Sequence, residues 1–504
     1  MSSSSAVLGI DFGTTNTAAA WCDATGKIHL VPVTEKGYTL PSVVWYGGKD
    51  RILVGHVARQ QIVDDPEHTV HGVKRFIGRR FRSEFVARHK ESFLYPLVED
   101  DAGGAAVKIF GEVTSLTEVA FQVFERIVEL ANAAAGTEFD EAVLTVPAHF
   151  SFGQRKAVRT AAEMAGLEVR AMINEPTAAA LYYAKHKDAG GRVLVFDLGG
   201  GTFDATILQI SRREVRVLGT GGDAFLGGMD FDAAIVERLV ERFAIEQAID
   251  LRKKKVVMQR LMLAAEGAKI ALSKDRESRI KVPFVAQQGP SFLDLDYTLN
   301  VAELEEMSEG LLARLGGIVD DTMQRAGLTQ DQVAEIVFVG GQTRMPAIQQ
   351  RFGVRFRSDP KKHLHPELGV AIGAAILGRT LNLPRGPALV DVLPIPIGIM
   401  LPGVGSREVI GQNTAVPATE RVPIEHRPPN GQPLALAIYE AIDPTSIDRE
   451  LLGTVQIDPR WLAANPGRIE LEVRLGHDFD LTLAMIAENG ASFPVKLAPM
   501  PKAS

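Results

Sequence analysis

Two hydrophobic periods run along this chain, and the point where one gives way to the other divides it. From residue 6 to about residue 383, short apolar strands alternate with amphipathic helices, an α/β pattern. Leu116, Val119, Val123, Ile127 and Leu130 fall on one helical stripe. Ser115 and Glu118 form a Ser-x-x-Glu capping pattern ahead of it, and Gly136 predicts its stop. Ala142 to Val146 reads as a buried strand running into Pro147. Gly153 to Ala165 reads as a second helix stopped at Gly166, and Ile336 to Val339 as a strand ending in the Gly340-Gly341 turn.

After Thr380 the texture changes. Pro384, Gly386 and Pro387 mark a break, followed by the short apolar run Ala388 to Leu393. Beyond Pro394 the period is two. Leu434, Leu436 and Ile438 alternate with other residues, as do Ile469, Leu471, Val473 and Leu475. Phe479, Leu481, Leu483 and Met485 do the same after a Gly476-His477-Asp478 turn. The last strand is expected to end near Leu497, with no helical segment after it. The expected organisation is an α/β domain over residues 1–383, a linker over 384–393 and an all-β sandwich over 394–504.

Composition narrows the partners. Of 504 residues, 62 are acidic and 55 basic, a formal net charge of −7, which argues against general affinity for nucleic acid or acidic membranes. Arg252 to Lys255 has no interleaved aromatics and reads as a solvated helix face. One cysteine, Cys22, excludes an internal disulfide framework and is expected to be a small buried apolar residue. The start of the chain lacks a basic region, and no apolar run approaches the ~18 residues of a membrane span, so a cytoplasmic location is expected. His363 and His365 lie in a Pro-bounded loop without metal-ligand spacing, and Trp45 and Trp461 are expected to pack.

The chemistry is carried by two copies of one pattern. Gly9-Ile10-Asp11-Phe12-Gly13-Thr14-Thr15-Asn16 and Phe196-Asp197-Leu198-Gly199-Gly200-Gly201-Thr202-Phe203-Asp204 each run strand, Asp, glycine turn, Thr, strand. Glycines let successive N–H groups close on a phosphate, Thr hydroxyls add donors, and an Asp suits magnesium or its water shell. Two copies predict a duplicated domain whose hairpins grip one nucleotide from opposite sides.

With its basic loop Lys74-Arg75-Phe76-Ile77-Gly78-Arg79, the segment Ile173-Asn174-Glu175-Pro176-Thr177 and the motif Val339-Gly340-Gly341-Gln342-Thr343-Arg344, the chain resembles the Hsp70-type chaperones from Leu8 to about Pro499. The phosphate loops alone would also suit actin, sugar kinases or bacterial cell-shape proteins. The resemblance implies a two-lobed actin-like ATPase domain followed by a peptide-binding β-sandwich. The helical lid that usually follows the sandwich is expected to be missing. The resemblance also implies ATP/ADP and Mg²⁺, with K⁺ as a candidate second cation. Asp11 and Asp197 would hold the magnesium–water shell, and Gly13, Thr14, Thr15, Gly199, Gly200, Gly201, Thr202 and Gly228 the phosphates. Lys74 would meet the γ-phosphate and the attacking water, with Thr202 beside it, while Glu175 and Asp204 orient that water. Glu266, Lys269 and Ser273, spaced i, i+3 and i+7, would meet adenosine together with Gly340, Gly341 and Arg344.

Pro147, Arg155, Leu389 and Val390 match the interdomain switch, and Leu401, Leu434 and Leu436 would form the peptide cleft. The chain departs from the family pattern at Met229, Ile270, His149 and Phe152. It also has Ala171-Met172 where an Arg usually receives the J-domain's acidic residue, leaving Arg170 one position away to substitute. The resemblance implies extended polypeptide segments as clients, a J-domain cochaperone and a nucleotide exchange factor as partners. A module dedicated to one partner protein is the competing reading, and a small-molecule kinase the third.

Overall fold

The computed structural model describes residues 6–48, 51–186, 190–211, 214–356, 365–381, 388–401, 405–425, 427–428, 432–441 and 449–498. Pro384, Gly386, Pro387 and His363 therefore lie outside the described residues.

Two sheets of related construction face each other. In the first lobe Leu8–Phe12 turns into Asn16–Cys22 as an antiparallel hairpin, and Glu141–Val146 and Glu168–Asn174 add to it in parallel. In the second, Gly191–Leu198 and Phe203–Ile210 form the matching hairpin, with Glu335–Val339 parallel on one side and Glu214–Asp223 antiparallel on the other. Both Asp-Gly-Thr motifs thus sit at hairpin turns, each at the same place in its sheet. The helices Glu175–His186 and Gly369–Leu381 pack between the sheets. A Cβ on Gly373 would lie 1.8 Å from the Ala178 carbonyl oxygen, and one on Gly9 2.2 Å from the Ala375 nitrogen. Only glycine permits these approaches, which bring the lobes together on one apolar seam of Val143, Ala178, Val195, Val339 and Ala374.

Local signals formed as the patterning predicted. The helix Leu116–Ala135 is held by the reciprocal Ser115–Glu118 capping box and ends at Gly136 with φ +67°. The helix expected from Gly153 runs Phe152–Met164 because Ser151 and Gln154 make a second capping box. Arg252 to Lys255 is exposed as expected, but it forms the turn leading into Lys255–Ala271 rather than a helix face. Cys22 is buried, Trp45 donates to Asp65, and Trp461 packs against the sandwich core.

The C-terminal domain is a sandwich of a five-stranded and a four-stranded sheet. It is not wholly β: Pro459–Ala464 is a short helix, capped by Asp458 with proline at its start. Phe479 is likewise not in a strand. It sits in the turn at φ +60°, and the strand begins at Leu481.

Leu389 and Val390 belong to the strand Ala388–Val392, which adds in parallel to Glu214–Asp223. Ala415–Val416 of the sandwich pairs with the far side of that strand, so the second lobe's sheet continues through the linker into the C-terminal domain.

Candidate functional site

The two glycine turns meet at the floor of a cleft of about 550 Å³ between the lobes. A Cβ on Gly200 would fall 1.9 Å from Thr15 Oγ1, and one on Gly201 2.5 Å from Thr14 Cγ2. The turns can face each other this closely only without side chains. Gly13, Thr14, Thr15, Gly199, Gly200, Thr202 and Gly228 line the cleft, whereas Gly201 supports the turn from behind, its carbonyl accepting from Arg75.

The charged floor is built at strand ends. Asp11 and Asp197 close the first strand of each hairpin, and Lys74 reaches in from the basic loop to form a buried pair with Glu175. Burial raises the Asp11 carboxyl, partly offset by Lys74. Burial also lifts Asp197 well above the carboxylate range, reinforced by Glu175, Asp204 and Asp11. Glu175 is raised to about 7, by burial first, against the pull of Lys74. Three carboxyls, Asp11, Glu175 and Asp197, thus share one ammonium, and Asp204, which does not line the cleft, adds its charge beside Glu175 and Asp197, a surplus of negative charge that a cation would relieve. Among the described residues no three His, Cys, Asp or Glu side chains converge as a metal cage. Such a donor set would suit a magnesium ion that arrives with phosphates and keeps its water shell.

Glu266, Lys269, Ser273, Gly340, Gly341 and Arg344 all line the opposite part of the cleft, beside Ile270. Ser273 lies just past the end of Lys255–Ala271, not on the helix itself. Three of the charged heads already have protein partners. Glu266 pairs with Arg59 across the cleft, Lys269 with Asp232 at 2.9 Å, and Arg344 with Glu367 at 3.1 Å.

Arg155 sits at the centre of a hydrogen-bonded unit that reaches the linker. Arg155 donates to the carbonyls of Ala148 and Phe150, either side of His149 and just after Pro147, and to Asn174 Oδ1 at 2.7 Å. Asn174 in turn donates to Asp391 of the linker at 2.9 Å. Arg155 stacks on Phe479, the Phe152 N–H donates to Glu440, and Arg159 approaches Asp478, so the β domain is docked on this face. Arg79 is visible as part of the basic loop and Asp391 as the single Asp of the apolar run 388–393, but the packing that brings them and Glu440 to this face joins distant segments and leaves no local signal.

Two expectations need correction. Leu401, Leu434 and Leu436 do not line an open groove. They pack inside the sandwich, where Leu434 and Leu436 are 1% and 0% exposed, because inward positions of the two sheets close on each other. Ala171 is also interior, packed with Val143 and Ile173, because a register shift after Ala142 turns Arg170 outward to Glu141. Ala171→Arg should therefore overpack the seam, costing about 1–3 kcal/mol. A thermal unfolding midpoint unchanged from the parent would show that this position opens to solvent.

The comparison with known proteins agrees with this geometry. A family model described as Hsp70 protein matches residues 7–487. The chain belongs to the Hsp70 family. It is 34% identical over 491 residues to the chaperone protein DnaK of Buchnera aphidicola subsp. Schizaphis graminum (strain Sg), covering 96% of this chain and 76% of that protein. Membership in this chaperone family accounts for the actin-like ATPase architecture followed by a sandwich. No described helix is long and apolar enough to cross a membrane.

Proposed function

We propose that this chain is an ATP-dependent chaperone that couples binding and hydrolysis of ATP to binding and release of extended apolar polypeptide segments. The observation that carries the reading is the buried Lys74–Glu175 pair set among Asp11, Asp197 and Asp204 where the two glycine turns meet. Phosphoryl transfer to water needs positioning and charge neutralisation rather than a covalent intermediate. Backbone N–H groups of the turns and Thr14, Thr15 and Thr202 hold the phosphates. Lys74 neutralises developing charge, and Glu175 and Asp204 orient the water. Magnesium, where bound, supplies charge on the phosphate oxygens, with Asp11 and Asp197 holding its water shell. A cytoplasmic location, a J-domain cochaperone and a nucleotide exchange factor belong to the same reading.

The test is single-turnover ATP hydrolysis with and without a panel of extended apolar peptides, where stimulation is expected. The burial of Leu434 and Leu436 favours a second reading, a nucleotide-regulated module dedicated to one partner. ATPase indifferent to every peptide would select it.

The metal assignment has its own check. Asp11→Asn and Asp197→Asn should each raise the magnesium concentration for half-maximal hydrolysis, by about tenfold as for other groups that orient a metal shell. Metal titrations superimposable on the parent's would contradict it.

A further inference from the structure

The turn between Glu141–Val146 and Phe152–Met164 touches the hydrolytic groups on two sides. Phe150 lies under Lys74, with the ammonium 5.8 Å from its ring. His149, one residue earlier, reaches into the other lobe, where its Nδ1 stands 2.7 Å from Asp204 Oδ1. Asp204 is almost wholly buried, and His149 is only 18% exposed at its side chain. The contact is built rather than incidental. Gly222 stands opposite Asp204 in the strand pairing, and a Cβ there would come within 2.6 Å of His149 Nδ1 and 2.7 Å of the carboxylate. The absence of a side chain at Gly222 is what admits the imidazole.

We propose that His149 is a positioning residue for hydrolysis, fixing the Asp204 carboxylate toward the attacking water from across the lobe boundary. The inference rests on reading the cleft as a hydrolytic ATP site. A hydrogen bond to a buried carboxylate is charge-assisted and directional, so it selects one carboxylate orientation. The same turn is clamped by Arg155 through the carbonyls on either side of His149, and Arg155 is stacked on Phe479 of the docked β domain. Docking therefore holds the imidazole at its post, and loosening of that clamp frees it.

With its proton on Nδ1 the ring donates to Asp204 Oδ1 and so orients that oxygen. Asp197, Glu175 and Arg155, the other charges coupled to Asp204, remain when His149 is replaced.

The experiment follows hydrolysis of prebound ATP with magnesium in single-turnover mode. It compares the parent with His149→Ala and His149→Gln, with ATP affinity measured by calorimetry. His149→Ala should lose roughly ten- to a hundredfold in rate, the worth of one hydrogen bond to a charged group, at unchanged affinity. His149→Gln, which keeps a donor, should recover most of that rate. A rate for His149→Ala within about threefold of the parent's, well below that bond's worth, overturns the proposal. So does a His149→Gln rate no higher than that of His149→Ala.

Imidazole nitrogen NMR on the nucleotide-free chain gives a readout independent of hydrolysis. His149 should carry its proton on Nδ1, and Asp204→Asn should abolish that preference. If the parent shows this tautomer yet hydrolyses no ATP at any pH, the hydrolytic reading falls and takes the positioning role with it. Hydrolysis in a parent whose His149 holds its proton on Nε2 overturns the pair alone.

Discussion

Lys74→Ala should keep ATP binding and lose single-turnover hydrolysis by about 10²–10⁴-fold, the range for removing one positioned catalytic group. Lys74 is 2% exposed and is the ammonium paired with Glu175, within reach of Asp11 and Asp197. It also rests over the Phe150 ring, so its direction is fixed by packing as well as charge. Without it, the positive charge that lowers Glu175 is gone while burial, Asp11 and Asp204 still raise it. Glu175 would then hold a proton near neutrality and could no longer accept from water. Binding should survive because the turns, Thr14, Thr15 and the adenosine side do not depend on Lys74. A hydrolysis rate close to the parent's would take Lys74 out of the reacting site.

The second large effect concerns a carboxyl at the docked face of the β domain. Glu440 and Glu450 are direct cross-strand partners, and Glu440 lies buried against the amide of Phe152. Burial, then the charge of Glu450, raises the Glu440 carboxyl from 4.5 to about 8, against the pull of Arg155 and Arg79. A carboxyl raised in the folded chain binds its proton more tightly there than in the unfolded one. Its contribution to stability is thus fully present below about pH 4.5 and is lost as pH climbs through about 8. Glu440→Gln mimics the protonated form and should be the more stable chain at about pH 8, with the gap closing toward about pH 4.5. Thermal unfolding of both chains over that range checks this. A gap that does not change with pH would put the titrating group elsewhere.

Much of the cleft's charged floor was legible because its residues announce themselves locally. Asp11, Gly13, Thr14 and Thr15 are contiguous, as are Asp197 to Asp204, and the hairpin geometry follows from strand, glycine turn, strand. Lys74 and Glu175 were found through motif resemblance, and the structure brings them together from 101 positions apart. What stayed hidden depends on packing between segments. The alternation at Leu434 and Leu436 marks an inward face but cannot say whether that face closes on a core or opens as a groove. Ala171 points inward only because of an irregular register, which period-two counting does not detect. The helix at Pro459 was announced by Asp458-Pro459, yet six residues are too few to show a helical stripe.

The linker strand has a consequence for solubility. Glu214–Asp223 is an outer strand of the second lobe's sheet until Ala388–Val392 covers it, and Ala415–Val416 then covers Ala388–Val392. Whenever the linker detaches, two rows of backbone donors and acceptors become available at once, one on the lobe and one on the linker itself. The covered stretch of the lobe is short and carries Glu214 and Arg216, charges that discourage a foreign strand from pairing there. The linker's own row is flanked by Leu389, Val390 and Val392, with only Asp391 to deter one. Each undocking event therefore exposes a sticky tape on the moving segment and a guarded slot on the body. The hazard of chain-to-chain association lies with the tape.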